Sequence, residues 1–349
     1  KLLQLNQTLS TKKPVSFTSM LHRVTTTAVL GCVLLLIHCW LVSATSHDIH
    51  LGSMMESTLP NNEVEGSASD MYTYVISQNK GLRRGEDVIV TTGSNGVYNI
   101  SLVLDGHGGQ RVVQHAGRYF QDALLRACSD STSTQTSSWP ECVRSSFRSF
   151  QDDIRHKRLR GGAAVLAVFV HLKTSQVAFA WAGDVEAMII REGQPLFRTT
   201  RHGLENEEER KRIESHVPKY SFTFEDGYLC NKRLKSCVMP TRGLGDVEME
   251  SAGYVSLPAV SDFLPLAAGD VVFVASDGLW DILEAQYVIE KLMTSVGRGE
   301  MLGTGVSLAK AAVNEWIRAY RRASEADDIS LLIYEAREES RGSGKMGDL

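Results

Sequence analysis

The sequence carries no basic excess: 37 lysines and arginines stand against 41 aspartates and glutamates, for a net charge of −4. Binding to a phosphate backbone needs clustered positive charge, so no nucleic-acid partner is expected. There is no heptad run and no tandem repeat, which excludes a coiled coil and a solenoid. Proline is scarce, 8 residues against 29 glycines, a balance that fits a loop-rich enzyme better than a fibrous or disordered chain. Hydrophobic residues make up 43% of the 349 positions, enough for one large or two modest cores.

Methionine is missing from the first position, where Lys1 stands. Residues 1–19 are therefore expected to be a fragment's edge or an upstream extension, with Met20 as a plausible start. His22 and Arg23 follow, then an apolar run from Ala28 to Val42 that closes on Val42-Ser43-Ala44. A short basic patch, an apolar stretch and a small-residue end predict a signal peptide over residues 20–44. The run is shorter than the ~20 apolar residues of a usual membrane span, yet a single-pass anchor at residues 28–44 stays open as the alternative. The expected destination is the secretory pathway, a secretory organelle or the exterior.

Cys32 and Cys39 lie in the apolar run; Cys128, Cys142, Cys230 and Cys237 remain beyond it. Their spacing matches no zinc ribbon. In an oxidising compartment the pairs Cys128–Cys142 and Cys230–Cys237 are expected, and four free thiols are the open alternative.

Residues 45–70 are rich in Ser, Glu and Asn and read as a linker, and residues 338–349 as a disordered tail. Between them, residues 71–337 are expected to form one domain. Strands are predicted at 72–77, 87–92, 98–104, 163–172, 176–182, 187–191, 270–275 and 329–335. Helices are predicted at 111–127, 139–156, 205–213, 284–293 and 306–320. The third of these is charged, with Glu207–Lys211 and Glu208–Arg212 at helical spacing; the charge run from Glu205 to Arg212 is expected to be a solvated face, with substrate docking the alternative. Strands that follow one another like hairpins, with helices in pairs, predict an α+β fold of antiparallel sheets with helices on their outer faces. His202 is read as a turn residue and Trp280 as a core anchor. The Asn99-Ile100-Ser101 sequon lies in a strand, where burial argues against glycosylation.

Two apolar strands end in a carboxylate and a glycine: Val103-Leu104-Asp105-Gly106-His107-Gly108-Gly109 and Phe273-Val274-Ala275-Ser276-Asp277-Gly278-Leu279-Trp280-Asp281. Further acidic points are Glu86-Asp87, at the head of a strand, and Asp327-Asp328, just ahead of another. A strand end holds a side chain rigidly, and glycine allows close backbone approach. Carboxylates brought together would repel one another, and Mg²⁺ or Mn²⁺ resolves that repulsion.

With Gly183-Asp184 and Thr241-Arg242-Gly243-Leu244-Gly245-Asp246 added in order, this series resembles the motif set of the PPM-type (type 2C) metal-dependent protein serine/threonine phosphatases. The resemblance covers about residues 71–337. It implies a four-layer αββα sandwich of two antiparallel sheets flanked by helix pairs, with a two-ion Mg²⁺/Mn²⁺ site. It implies that Asp105 bridges the ions and the Gly106 carbonyl coordinates; Glu86 holds one ion and Asp277 and Asp327 the other. Asp184 would sit near a third, weaker ion, Asp87 would orient the attacking water, and His107 would be the general acid. The one Cys-x₅-Arg spacing, Cys142 to Arg148, falls within the predicted helix at 139–156 and forms no such loop, which fits direct attack by a metal-activated water.

The chain departs from the family pattern in places. The phosphate-binding arginine is displaced, with Leu82 at its usual position and Arg83 next to it. Gly85 replaces a methionine, Val185-Glu186 replaces Ser-Arg, Gly162-Ala163 replaces Ser-Thr, and Asp328 replaces an asparagine. Two functions therefore stay open: hydrolysis of phosphoserine and phosphothreonine in proteins, or a weakened pseudophosphatase that binds a phosphoprotein or regulates a partner. A metal-dependent phosphodiesterase acting on nucleotides draws only on generic two-metal logic, and the basic surface it needs is missing. A monomer is expected.

Overall fold

A computed structural model of the chain describes residues 70–78, 85–129, 139–216, 221–321 and 327–337; for 70–78 and for residue 92 the description is of the backbone alone. All described residues belong to one compact unit. The predicted signal peptide, most of the linker, Arg83 and the tail lie outside the described residues. Among the described residues, no helix is long and apolar enough to cross a membrane.

The first sheet has five strands in the order β1 (Asp70–Gln78), β15 (Ile329–Arg337), β14 (Val271–Ala275), β6 (Glu186–Arg191), β7 (Gln194–Arg198). The second runs β12 (Ala259–Val260), β5 (Gln176–Ala182), β4 (Gly162–His171), β3 (Tyr98–His107), β2 (Val88–Ser94), with β11 (Leu244–Gly245) beside β4 and β13 (Leu264–Pro265) beside β5. All these pairings are antiparallel.

Successive residues of a strand face opposite sides, and here both sides are apolar. On β15, Leu331 and Ile333 join one buried cluster and Leu332 and Tyr334 another. The same alternation splits Phe273 from Val272 on β14, and Leu102 and Leu104 from Val103 on β3. One cluster holds residues of both sheets, among them Val103, Leu166 and Phe179 with Ile189, Val272 and Leu332. A second packs α1 (Gln110–Ala127) and α2 (Trp139–His156) on the larger sheet. A third packs α4 (Asp277–Trp280), α5 (Ala285–Met293) and α6 (Met301–Tyr320) on the smaller one. Each fully buried Leu or Phe contributes roughly 1.5–3 kcal/mol to the fold.

The predicted helix at 205–213 is observed as α3 (Glu207–His216), starting two residues later because Asn206 caps it, its Oδ1 accepting the Glu208 N–H at 3.0 Å. Glu207–Lys211 forms at 3.1 Å. Arg212 instead pairs with Glu209, and Glu209 is buried, so this charge run is not wholly a solvated face. Both expected disulfides are present, Cys128–Cys142 joining α1 to α2 and Cys230–Cys237. The second bridges β9 (Tyr228–Asn231) to β10 (Ser236–Val238) in a separate three-stranded sheet with β8 (Phe222–Glu225).

Candidate functional site

Strand register explains why the acidic motifs meet. Val88 pairs with Leu104, so Glu86 and Asp87, just before β2, lie beside Asp105 and Gly106 at the end of β3. Ala275 pairs with both Leu331 and Glu186, so Asp277, just past β14, lies beside Asp327 and Asp328 on one flank and Asp184 on the other. The two sheets are tied where the Glu86 N–H donates to Asp328 Oδ2 at 2.7 Å. The Gly106 N–H donates to the Glu86 carbonyl at 3.2 Å, and Glu86 Oε1 accepts from the Gly109 N–H at 3.0 Å. A side chain at Gly278 would strike the Asp328 carbonyl, so glycine there lets the Asp277 turn close on the head of β15.

The resulting electrostatics are those of crowded anions. Loss of solvent, then the charges of Asp277, Asp87, Asp184 and Asp327, push the Asp105 carboxyl well above its ordinary value. Burial, then Asp184, Asp327 and Asp281, does the same to Asp277. Asp87 is raised to about 7 by burial and by Asp328, against the opposing influence of Ser330 and Ser276. Asp184 is raised by burial, with His107 and Arg201 working against the shift.

His107 points its Nε2 at Asp246 Oδ2, 2.5 Å away. Burial alone would lower its pKa; the charge and hydrogen bond of Asp246 outweigh that and raise it. Sequence reasoning quoted Asp246 inside a motif without giving it a role. It is buried, in a left-handed conformation at φ 43°, and its N–H is held by the Gly161 carbonyl at 3.0 Å. A Cβ on Gly162 would fall on both Asp246 Oδ2 and His107 Nε2, so the departure from serine at this position makes room for the pair.

Glu186 is a second departure that the structure accounts for. It is buried, and its two oxygens accept from Arg198 Nε at 2.8 Å and Arg201 Nε at 2.6 Å. Arg201 reaches on to Asp281 Oδ1 at 2.6 Å. The reversed charge is therefore matched within the fold. His202, read as a turn residue, is buried: it stacks on Trp181 and accepts the Gly183 N–H through Nδ1 at 3.3 Å, fixing the loop that carries Asp184. A further residue missed from sequence is the half-exposed Tyr228 on β9. Its phenol is raised by burial, then by the charges of Asp277, Asp281, Asp327 and Asp184.

Among the described residues, no three His, Cys, Asp or Glu side chains are closed around a point that could hold a metal ion. The donor chemistry nevertheless fits one. The cluster is all oxygen, its members repel one another, and Asp87 Oδ2 is buried without a hydrogen-bond partner. Such a set suits a hard divalent cation and little else.

The family model for protein phosphatase 2C matches residues 75–327. The chain belongs to the protein phosphatase 2C family. Its relatives in that family are distant. It is 23% identical over 290 residues to "Probable protein phosphatase 2C 32" of rice (Oryza sativa subsp. japonica), covering 81% of this chain and 70% of that protein. It is 25% identical over 236 residues to "Probable protein phosphatase 2C 30" of Arabidopsis thaliana, covering 66% and 56%. It is 24% identical over 235 residues to human "Protein phosphatase 1F", covering 66% and 47%. The chain thus spans between about half and 70% of these relatives. The fold is similar to that of serine-threonine phosphatase 2C from Toxoplasma gondii, with a TM-score of 0.60 at 15% identity, over 78% of this chain and 96% of that one. It is also similar to a C. elegans sex determining protein, TM-score 0.61 at 19% identity, over 77% and 65%. This protein phosphatase 2C fold is mixed α+β, with antiparallel sheets and packed helices.

Proposed function

We propose that the chain hydrolyses phosphoserine and phosphothreonine in proteins, with Mg²⁺ or Mn²⁺ as cofactor. The observation that carries this reading is the convergence of Asp87, Asp105, Asp184 and Asp277 where strand ends of the two sheets meet, beside the His107–Asp246 pair. Glu86, Asp105 and the Gly106 carbonyl would hold one ion, Asp105, Asp277 and Asp327 another, and Asp184 a third, weaker one. When bound, such ions acidify a water and offset the charge that builds on the phosphoryl oxygens.

The chain's own residues supply the rest. Asp87, with an unpartnered buried oxygen, accepts a hydrogen bond from the attacking water and aims it at phosphorus. The water oxygen forms a new P–O bond as the ester P–O bond breaks, and the proton it sheds passes to Asp87. His107 gives its proton to the departing Ser or Thr oxygen, which leaves as a neutral hydroxyl. Asp246 occupies Nε2, so Nδ1 is the nitrogen that donates. Arg83, outside the described residues, would contact the phosphoryl group. The matched charges at Glu186 favour this active reading over a pseudophosphatase.

The same reading takes residues 71–337 as the phosphatase domain, a four-layer αββα sandwich; the three clusters, helix on sheet, sheet on sheet and sheet on helix, support it. It places the protein in the secretory pathway, on the strength of residues 20–44 and two bonded cysteine pairs. A reporter carrying residues 20–50 should enter that pathway, and a cytosolic reporter would reject the assignment. For activity, phosphate release from a phosphothreonine peptide with Mn²⁺ is the test. Turnover should need the ion and Asp277, and should fall ~10²–10⁴-fold in His107→Gln. Absence of ion-dependent turnover would leave a phosphoprotein-binding role in its place.

A further inference from the structure

Beside the carboxylate cluster lies a groove of about 970 Å³. Asp281 joins the two: it lines the groove, and its N–H donates to the Asp277 carbonyl at 2.8 Å. A chain bound in the groove therefore continues into the site. Resting on the phosphoprotein reading above, we propose that this groove receives an arginine- or lysine-bearing segment of the substrate, next to the phosphorylated residue.

Two observations point to that occupant. The first is charge. The lining holds six carboxylates against three guanidiniums, and Glu186, Glu209 and Asp281 are matched by Arg198, Arg201 and Arg242. Of the three that remain, Glu207 pairs with Lys211, while Glu205 and Glu208 have no ion-pair partner among the described residues. The rim thus offers surplus negative charge, which an acidic segment or a second phosphoryl group would meet as repulsion.

The second is the indole of Trp280, which lines the groove and already carries a guanidinium: Arg198 stands 5.1 Å over its ring. An aromatic face attracts cations through its quadrupole. Carboxylates and an aromatic face in a groove beside the site together describe a subsite for a cationic segment.

The test is equilibrium binding of matched phosphothreonine peptides to the full chain by calorimetry, with flanking residues all arginine, all alanine or all glutamate. The arginine peptide is expected to bind about 3- to 10-fold more tightly than the alanine peptide, with the gap closing as salt rises. Glu205→Gln with Glu208→Gln should remove most of the preference. Equal binding of arginine and glutamate peptides, or a preference untouched by the double substitution, would overturn the proposal. Hydrolysis of p-nitrophenyl phosphate by the unaltered chain is scored separately. It reports on the phosphatase reading alone, because that substrate has no flanking residues to bind the groove.

Discussion

Gly162 shows how one residue shapes the chemistry. Any side chain there would enter the space where His107 and Asp246 meet. Gly162→Ala is therefore expected to keep the fold, judged by circular dichroism, while parting the two side chains and lowering kcat about tenfold or more. Asp246→Asn tests the same pair from its other side. It keeps the shape, removes the charge that holds the imidazole protonated, and should lower kcat more than it changes KM. Sequence made the carboxylates legible because each ends or begins an apolar strand beside a recognisable turn. Asp246 offered no such mark. Its importance comes from a left-handed turn and a partner 139 residues away, neither of which local pattern reveals.

At the scale of elements, α3 looked from sequence like a surface helix, and its low content of apolar residues invited that reading. Glu209 contradicts it. Burial would raise its carboxyl, but hydrogen bonds from Arg242, Arg212 and Thr241 prevail and hold it well below the ordinary range. These contacts fasten α3 to the segment carrying Thr241 and Arg242. A depressed folded value means the contribution is complete above the unfolded value of 4.5 and is lost as pH falls from there toward the folded value. Urea unfolding at pH 6 and pH 3 should show that loss, and Glu209→Gln should reduce the difference while destabilising the chain by about 3–5 kcal/mol at neutral pH. The Cys128–Cys142 bond belongs to the same scale. It closes a 14-residue separation between α1 and α2, and Cys128→Ser with Cys142→Ser should cost about 2–4 kcal/mol in the same assay.

For the whole molecule, antiparallel sheets and helix positions were readable because strands and helices carry distinct periods. How the sheet edges meet was not, since it depends on pairings such as Ala275 with both Leu331 and Glu186. That convergence sets function against stability. Crowded carboxylates strain the ion-free fold, so Mn²⁺ should raise the melting temperature. Asp277→Asn without ions should raise it too, by roughly 2–4 °C for each kcal/mol of repulsion removed. Scanning calorimetry with and without Mn²⁺ reads both, and an Asp277→Asn chain that melts lower without ions would count against the repulsion.

The hydrogen bond from Glu86 to Asp328 joins positions 242 residues apart. A ribosome delivers the first of these long before the second. Until β15 has emerged, a nascent chain has Asp105 and His107 but neither Asp327 nor the strand that brings it to Asp277. On the proposed roles of Asp277 and Asp327, catalytic competence would arrive late in synthesis, and a chain ending before β15 would be inactive.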